Sequence, residues 1–113
     1  MSKQVQIING IPTLMIESAS DVSGMILIDV RRPEEFTGEL GHIKGATLVT
    51  LGPELEEFIS KKMDNNQEVL FICKAGGRSA NATAFAQSLG FKNVINMNGG
   101  MTLWNQLNLP VEK

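Results

Sequence analysis

Apolar residues in this chain follow two rhythms. Short, nearly unbroken runs occur at Met25-Ile26-Leu27-Ile28, at Val69-Leu70-Phe71-Ile72 behind Glu68, and at Val94-Ile95-Asn96-Met97. Runs of this kind predict strands buried on both faces, as in a parallel sheet. Between them the spacing becomes helical. From Pro53 to Met63, the residues Leu55, Phe58, Ile59 and Met63 share one face, with acids early and lysines late to suit the helix dipole. Asp64-Asn65-Asn66 stops that helix. A second is predicted from Ala80 to Leu89, closed by Gly90 just beyond its end. Gly99-Gly100 opens a last helix carrying Leu103, Trp104 and Leu107, with Trp104 toward the core and Pro110 as the stop.

Shorter elements fill the gaps. Pro33 followed by Glu34 and Glu35 suits the first turn of a short helix, and Ala46-Thr47-Leu48-Val49 a short strand. Near the start, Asn9-Gly10 lies between Val5–Ile8 and Ile11–Ile16, which favours a hairpin over a short helix begun at Pro12. Pro12, with no N–H, argues against a central strand there. Strands alternating with helices predict an α/β domain on a mostly parallel sheet, with ligands bound at the carboxyl ends of the strands. The 113 residues suffice for one core, so 1–113 are expected to form a single domain, with 1–24 as an N-terminal segment.

Composition narrows the function classes. A net charge of −2 without runs of like charge argues against nucleic acid or an anionic membrane as partner. Five phenylalanines, one tryptophan and no tyrosine provide no platform for stacking bases. No apolar stretch approaches membrane-spanning length, and no apolar signal segment opens the chain. The single cysteine cannot form an internal disulfide, which suits a reducing cytosol and predicts a cytoplasmic protein. One His and one Cys are too few for a zinc site, so neither metal nor cofactor is expected.

That cysteine stands where a strand stops and a helix begins, in Cys73-Lys74-Ala75-Gly76-Gly77-Arg78-Ser79. Two adjacent glycines let the chain curl until successive N–H groups point inward as an anion-binding nest. The free N–H groups of the helix start face the same spot, and Lys74 and Arg78 add full charges. A thiol of ordinary pKa about 8.5 falls to between about 3.5 and 7.5 in such surroundings, so Cys73 is expected to be largely thiolate at neutral pH. A small buried hydrophobe at a strand end would explain the cysteine but not the glycines and cations that follow. Arg78 has the fixed fork that suits an oxyanion, and Lys74 is a point charge beside it.

Three further residues are candidates for pocket or support. Asp29, at the end of its strand, is expected to accept from nearby backbone N–H groups. Arg31 either pairs with Glu34 or Glu35 or lines the pocket mouth. His42, between Gly41 and Ile43, is expected to hydrogen-bond so as to hold the Gly41–Ala46 turn.

The residues together resemble the single-domain rhodaneses, the thiosulfate-type sulfurtransferases. Leu27-Ile28-Asp29-Val30-Arg31-Arg32-Pro33-Glu34-Glu35-Phe36 with Gly41-His42-Ile43-Lys44-Gly45-Ala46 resembles the family's first signature. Cys73 to Ser79 matches its C-x-x-G-x-R-[ST] active loop, and Gly99-Gly100-Met101-Thr102-Leu103-Trp104 with Pro110-Val111 resembles its closing signature. Two departures leave the chemistry untouched. Thr50-Leu51-Gly52 stands where asparagine and proline are common, and Asn108 replaces the usual glycine, with asparagine the next most tolerant residue for a left-handed turn.

The resemblance implies a three-layer rhodanese-like domain with helices on both faces of the sheet. It also implies a mechanism: Cys73 attacks the outer sulfur of a small anionic donor such as thiosulfate, sulfite leaves, and a thiol or cyanide removes sulfur from the Cys73 persulfide. The activity is then thiosulfate:cyanide sulfurtransferase-like. The alternatives are a persulfide carrier with protein donors or acceptors, and a cysteine phosphatase or arsenate reductase of the same fold. Phosphatase loops resemble C-x5-R, one residue longer than the stretch from Cys73 to Arg78, and hold a whole phosphoryl group.

Overall fold

The two glycine-marked turns and the three apolar runs organise the molecule, a computed structural model that describes residues 5–17, 22–64 and 66–113. A hairpin of β1 (Val5–Ile8) and β2 (Ile11–Leu14) turns at Asn9 and Gly10, both with positive φ, 53° and 79°. Then follow β3 (Ile26–Asp29), α1 (Pro33–Phe36), β4 (Thr47–Leu48), α2 (Pro53–Lys61) and β5 (Val69–Ile72). The chain closes with α3 (Gly77–Ser88), β6 (Val94–Met97) and α4 (Gly100–Gln106). Of the expected N-terminal segment over 1–24, residues 1–4 and 18–21 lie outside the described residues, as does Asn65 of the stop after α2.

The six strands form one sheet in the order β1-β2-β6-β5-β3-β4. Among the described strands, β1 and β2 pair antiparallel and every other neighbouring pair is parallel. Pro12 corrects one expectation, because β2 is flanked by β1 and β6 rather than lying on an edge. Its parallel register with β6 starts at Thr13↔Asn96, one residue past the position that lacks an N–H.

The central strands alternate strictly between two cores. Leu27, Leu70, Ile72, Ile95 and Met97 enter one with Met101 and Trp104 of α4, and Trp104 also donates to the Pro110 carbonyl. Ile28, Val69, Phe71 and Val94 enter the other with Leu55 and Ile59 of α2 and Ala82 and Ala86 of α3. The two-residue strand period thus becomes two packed layers, with helices on both faces of the sheet. Asn96 takes the α3 side of β6, opposite to its neighbours Ile95 and Met97.

Helix ends differ from expectation: α2 stops at Lys61, two residues before Met63, and α3 at Ser88, one before Leu89. The α3 helix begins at Gly77, three residues earlier, because Gly76 at φ 106° turns the chain directly into it. Arg78 and Ser79 are therefore helical. The α4 helix ends at Gln106, with Leu107 half exposed after it, because Asn108 adopts φ 58° and unwinds the chain two residues before Pro110.

Candidate active site

Cys73 directly follows β5, between the two central crossovers, and its side chain is 1% exposed. The Gly76 N–H donates to Cys73 Sγ at 3.0 Å, and Ser79 Oγ lies 3.2 Å from the same sulfur. The loop owes its shape to α4. The N–H groups of Met101 and Thr102 donate to the Cys73 and Lys74 carbonyls at 2.8 and 2.9 Å. Since N–H and C=O point opposite ways in a trans peptide, the N–H groups of Lys74 and Ala75 are turned away from α4. A Cβ on Gly100 would collide with the carbonyl oxygens of both Cys73 and Lys74, so this close approach requires glycine. The double glycine at 99–100, read in sequence as a helix opener, is thus also part of the loop's support.

Arg78 stands on the first turn of α3, but its fork is already filled. Its Nη1 and Nη2 donate to the two carboxylate oxygens of Glu35 at 2.8 and 2.9 Å. Glu35 also accepts from the Arg32 N–H at 3.1 Å, which satisfies a backbone donor at the start of α1. The Arg78 hydrogen bonds outweigh partial burial and hold the Glu35 carboxyl at about 2, while the same bonds raise the Arg78 guanidinium. From sequence this fork is open for an anion, and Glu35 is expected at a helix start or as a partner of Arg31. The place of Glu35 in the first turn of α1 is legible from spacing; its link to α3 is not.

Arg31 pairs with neither Glu34 nor Glu35. Its Nε and Nη2 fork onto Asp29 at 2.9 and 2.8 Å, and Nη2 also reaches the Gly41 carbonyl at 2.7 Å. Both residues are buried. Asp29 accepts the Arg31 backbone N–H at 3.1 Å as well, in agreement with its expected strand-end role. This cluster wins over the nearby glutamates because a buried guanidinium needs a buried partner, and α1 keeps Glu34 at the surface. His42 Nδ1 lies 2.9 Å from the Phe36 carbonyl, its ring stacks on Phe36, and its backbone pairs with Glu112. It ties the turn to α1 and to the strand segment at Glu112.

Two open pockets flank the loop. One of about 480 Å³ is lined by Arg31, Glu34, Glu35, Glu39, Lys74 and Thr102. The other, about 300 Å³, has Ile8, Ile11, Ala75, Gly76, Asn96 and Asn98 among its walls. Lys74 is exposed at the mouth of the first. Asn96, not singled out from sequence, makes a very short contact with Ser79 Oγ and so adjoins the sulfur. Only its polar character inside an otherwise apolar strand could have marked it.

A buried cysteine in a glycine-turned loop, at the carboxyl end of a central parallel strand, places the molecule among cysteine-loop α/β domains. The chain belongs to the rhodanese-like domain family, whose model matches residues 14–107. It is similar to the thiosulfate sulfurtransferase GlpE of Vibrio cholerae, 33% identical over 86 residues, covering 76% of this chain and 77% of that protein. It also resembles YrkF of Bacillus subtilis, named as a candidate sulfur carrier protein, 38% identical over 78 residues and covering 69% and 40%. Three further relatives are longer, and the chain spans 44%, 64% and 48% of their lengths. Among solved structures, a rhodanese-related protein from Thermoplasma volcanium superposes with a TM-score of 0.67 at 26% identity, covering 82% of this chain and 88% of that one.

Among the described residues, no helix is long and apolar enough to cross a membrane, and no group of three or more His, Cys, Asp or Glu is placed to hold a metal ion.

Proposed function

We propose that the protein is a sulfurtransferase that carries sulfane sulfur on Cys73. The observation that carries this reading is the sulfur itself, held by the Gly76 N–H and beside the Ser79 hydroxyl at the start of α3. In the first half-reaction the Cys73 sulfur forms a bond to the outer sulfur of thiosulfate, the S–S bond of the donor breaks, and sulfite leaves with the electron pair. In the second, cyanide or a thiol takes the outer sulfur and returns Cys73 to its starting state. The loop N–H groups would face the charge on that outer sulfur, and Lys74 would attract the anion at the mouth. Arg78 interacts electrostatically with Cys73, but Glu35 fills its fork and offsets its charge.

Two features count against phosphoryl transfer. Only four residues separate Cys73 from Arg78, a ring suited to one sulfur rather than three phosphoryl oxygens. The arginine that would clamp those oxygens is engaged by Glu35. A persulfide carrier that passes sulfur between proteins is the second reading, favoured by the likeness to YrkF.

Intact mass spectrometry tests the proposal. Incubation with thiosulfate should add one sulfur atom, cyanide should remove it, and Cys73→Ser should never gain it. Hydrolysis of aryl phosphates by the same sample, with no gain of sulfur, would overturn the reading.

A further inference from the structure

Ser79 is fully buried on the first turn of α3, and three acceptors crowd its hydroxyl. Asn96 Oδ1 makes the shortest contact, Cys73 Sγ lies at 3.2 Å and the Gly76 carbonyl at 3.3 Å. A serine hydroxyl has one hydrogen and two lone pairs, so it can donate to only one of the three. With that hydrogen on Asn96, Ser79 meets the sulfur with lone pairs. The arrangement suits a thiol, whose S–H can donate to Oγ, and repels a thiolate. With the hydrogen on the sulfur, the lone pairs meet Asn96, and only an N–H can stand opposite them.

Asparagine satisfies both cases. The oxygen and NH₂ ends of its carboxamide are nearly equal in size, so a half-turn about χ2 exchanges acceptor for donor in the same space. Asn96 is 6% exposed and sits on β6, in register with Phe71 of β5, so its side chain is fixed against α3.

We propose that Asn96 is a positioning residue for the sulfur chemistry, turning its carboxamide so that the Ser79 hydroxyl donates to Cys73 Sγ whenever Cys73 is ionised. The S–H bond breaks, the proton passes to water or hydroxide, and its electron pair stays on sulfur. The Ser79 hydrogen then joins the Gly76 N–H as a second donor, and the Asn96 NH₂ supplies the hydrogen that Ser79 Oγ accepts. No electron changes hands. Arg78 on α3 interacts electrostatically with this sulfur, Glu35 on α1 pairs with Arg78, Lys74 follows Cys73 in the loop, and the Asp29–Arg31 pair stands at the end of β3. The β6 and α4 segments contribute no titratable side chain. Asparagine therefore acts by direction alone.

The inference rests on Cys73 being the reacting sulfur, but its test needs no sulfur donor. The pH dependence of Cys73 alkylation by iodoacetamide is measured in the native chain, Asn96→Leu, Ser79→Ala and the double variant. Ser79→Ala loses the charge-assisted hydrogen bond itself and should move the midpoint up by about one to two pH units. Asn96→Leu keeps that donor, loses only the hydrogen that Oγ accepts, and should move it up by a smaller amount. The double variant should match Ser79→Ala, because Asn96 reaches the sulfur only through that hydroxyl. Asn96→Ala gives the same reading without forcing volume into the site, should leucine disturb the packing. A packing role alone would lower the melting temperature and leave the midpoint in place. An unmoved midpoint in a folded Asn96 variant overturns the inference, as do equal shifts with and without Ser79. Failure to gain sulfur from thiosulfate would instead strike the proposed function and leave this result standing.

Discussion

Arg31 and Arg78 each close a two-pronged fork on a carboxylate, and the N···O distances are 2.8 and 2.9 Å in both. The surroundings differ. The Arg31 and Asp29 side chains are 1% and 0% exposed, whereas Arg78 and Glu35 are 36% and 27% exposed. Equal geometry therefore has unequal consequences. The buried fork holds two charges that water cannot reach, and a third bond to the Gly41 carbonyl joins the end of β3 to the following turn. Removing one member leaves the other charged in a dry place. The half-exposed fork is relieved by solvent, so it contributes little to stability, yet it sets the charge beside the loop.

The largest expected effect is on the buried side. Asp29→Ala should cost about 3–5 kcal/mol of folding stability in urea unfolding, because the buried Arg31 guanidinium is left without a counter-charge. A loss under about 1 kcal/mol would show that water or backbone replaces the carboxylate, and the contrast between the forks would vanish.

Arg78→Ala should cost about 1 kcal/mol or less by the same measurement. Its effect should appear in catalysis. An unpaired Glu35 carboxylate near the loop repels an anionic donor, so thiosulfate turnover should fall about tenfold or more. Arg78→Lys should recover part of the rate, and adding Glu35→Gln to Arg78→Ala should recover some by removing the repulsion. Unchanged turnover in Arg78→Ala would mean that the backbone N–H groups suffice without the pair.

The smallest effect is a pH signature. The Glu35 carboxyl lies at about 2 in the folded protein, below its ordinary 4.5. A depressed acid stabilises the fold fully above its ordinary pKa and loses that contribution as pH falls through the folded value. The Glu35 share should therefore persist above pH 4.5 and fade toward pH 2, and Glu35→Gln should flatten stability over that window. Parallel curves for the two proteins would indicate that solvent screening has removed the pair's contribution altogether.

Sequence reading was strongest where the cause is local. The runs at Ile26–Asp29, Val69–Ile72 and Val94–Met97 are strands because their apolar residues must be buried on both sides, a demand that each run carries in itself. The hairpin at Asn9-Gly10 and the left-handed Asn108 follow from the backbone freedom of those residues. The glycine pair after Cys73 likewise announces a tight turn of N–H groups, and the structure places the Gly76 N–H on the sulfur.

Tertiary structure decided which partner each polar group took. Arg31 has Asp29, Glu34 and Glu35 within four residues, and spacing alone permits all three; burial at the end of β3 selects Asp29. Arg78 finds Glu35 across 43 residues, and Ser79 finds Asn96 across 17. The α4 helix start reaches the Cys73 and Lys74 carbonyls because β6 lies between β2 and β5 in the sheet. Parallel strands are joined by long crossovers, so neighbours in space are distant in sequence. A residue's own chemistry states what kind of partner it needs, and the strand order determines which one stands within reach.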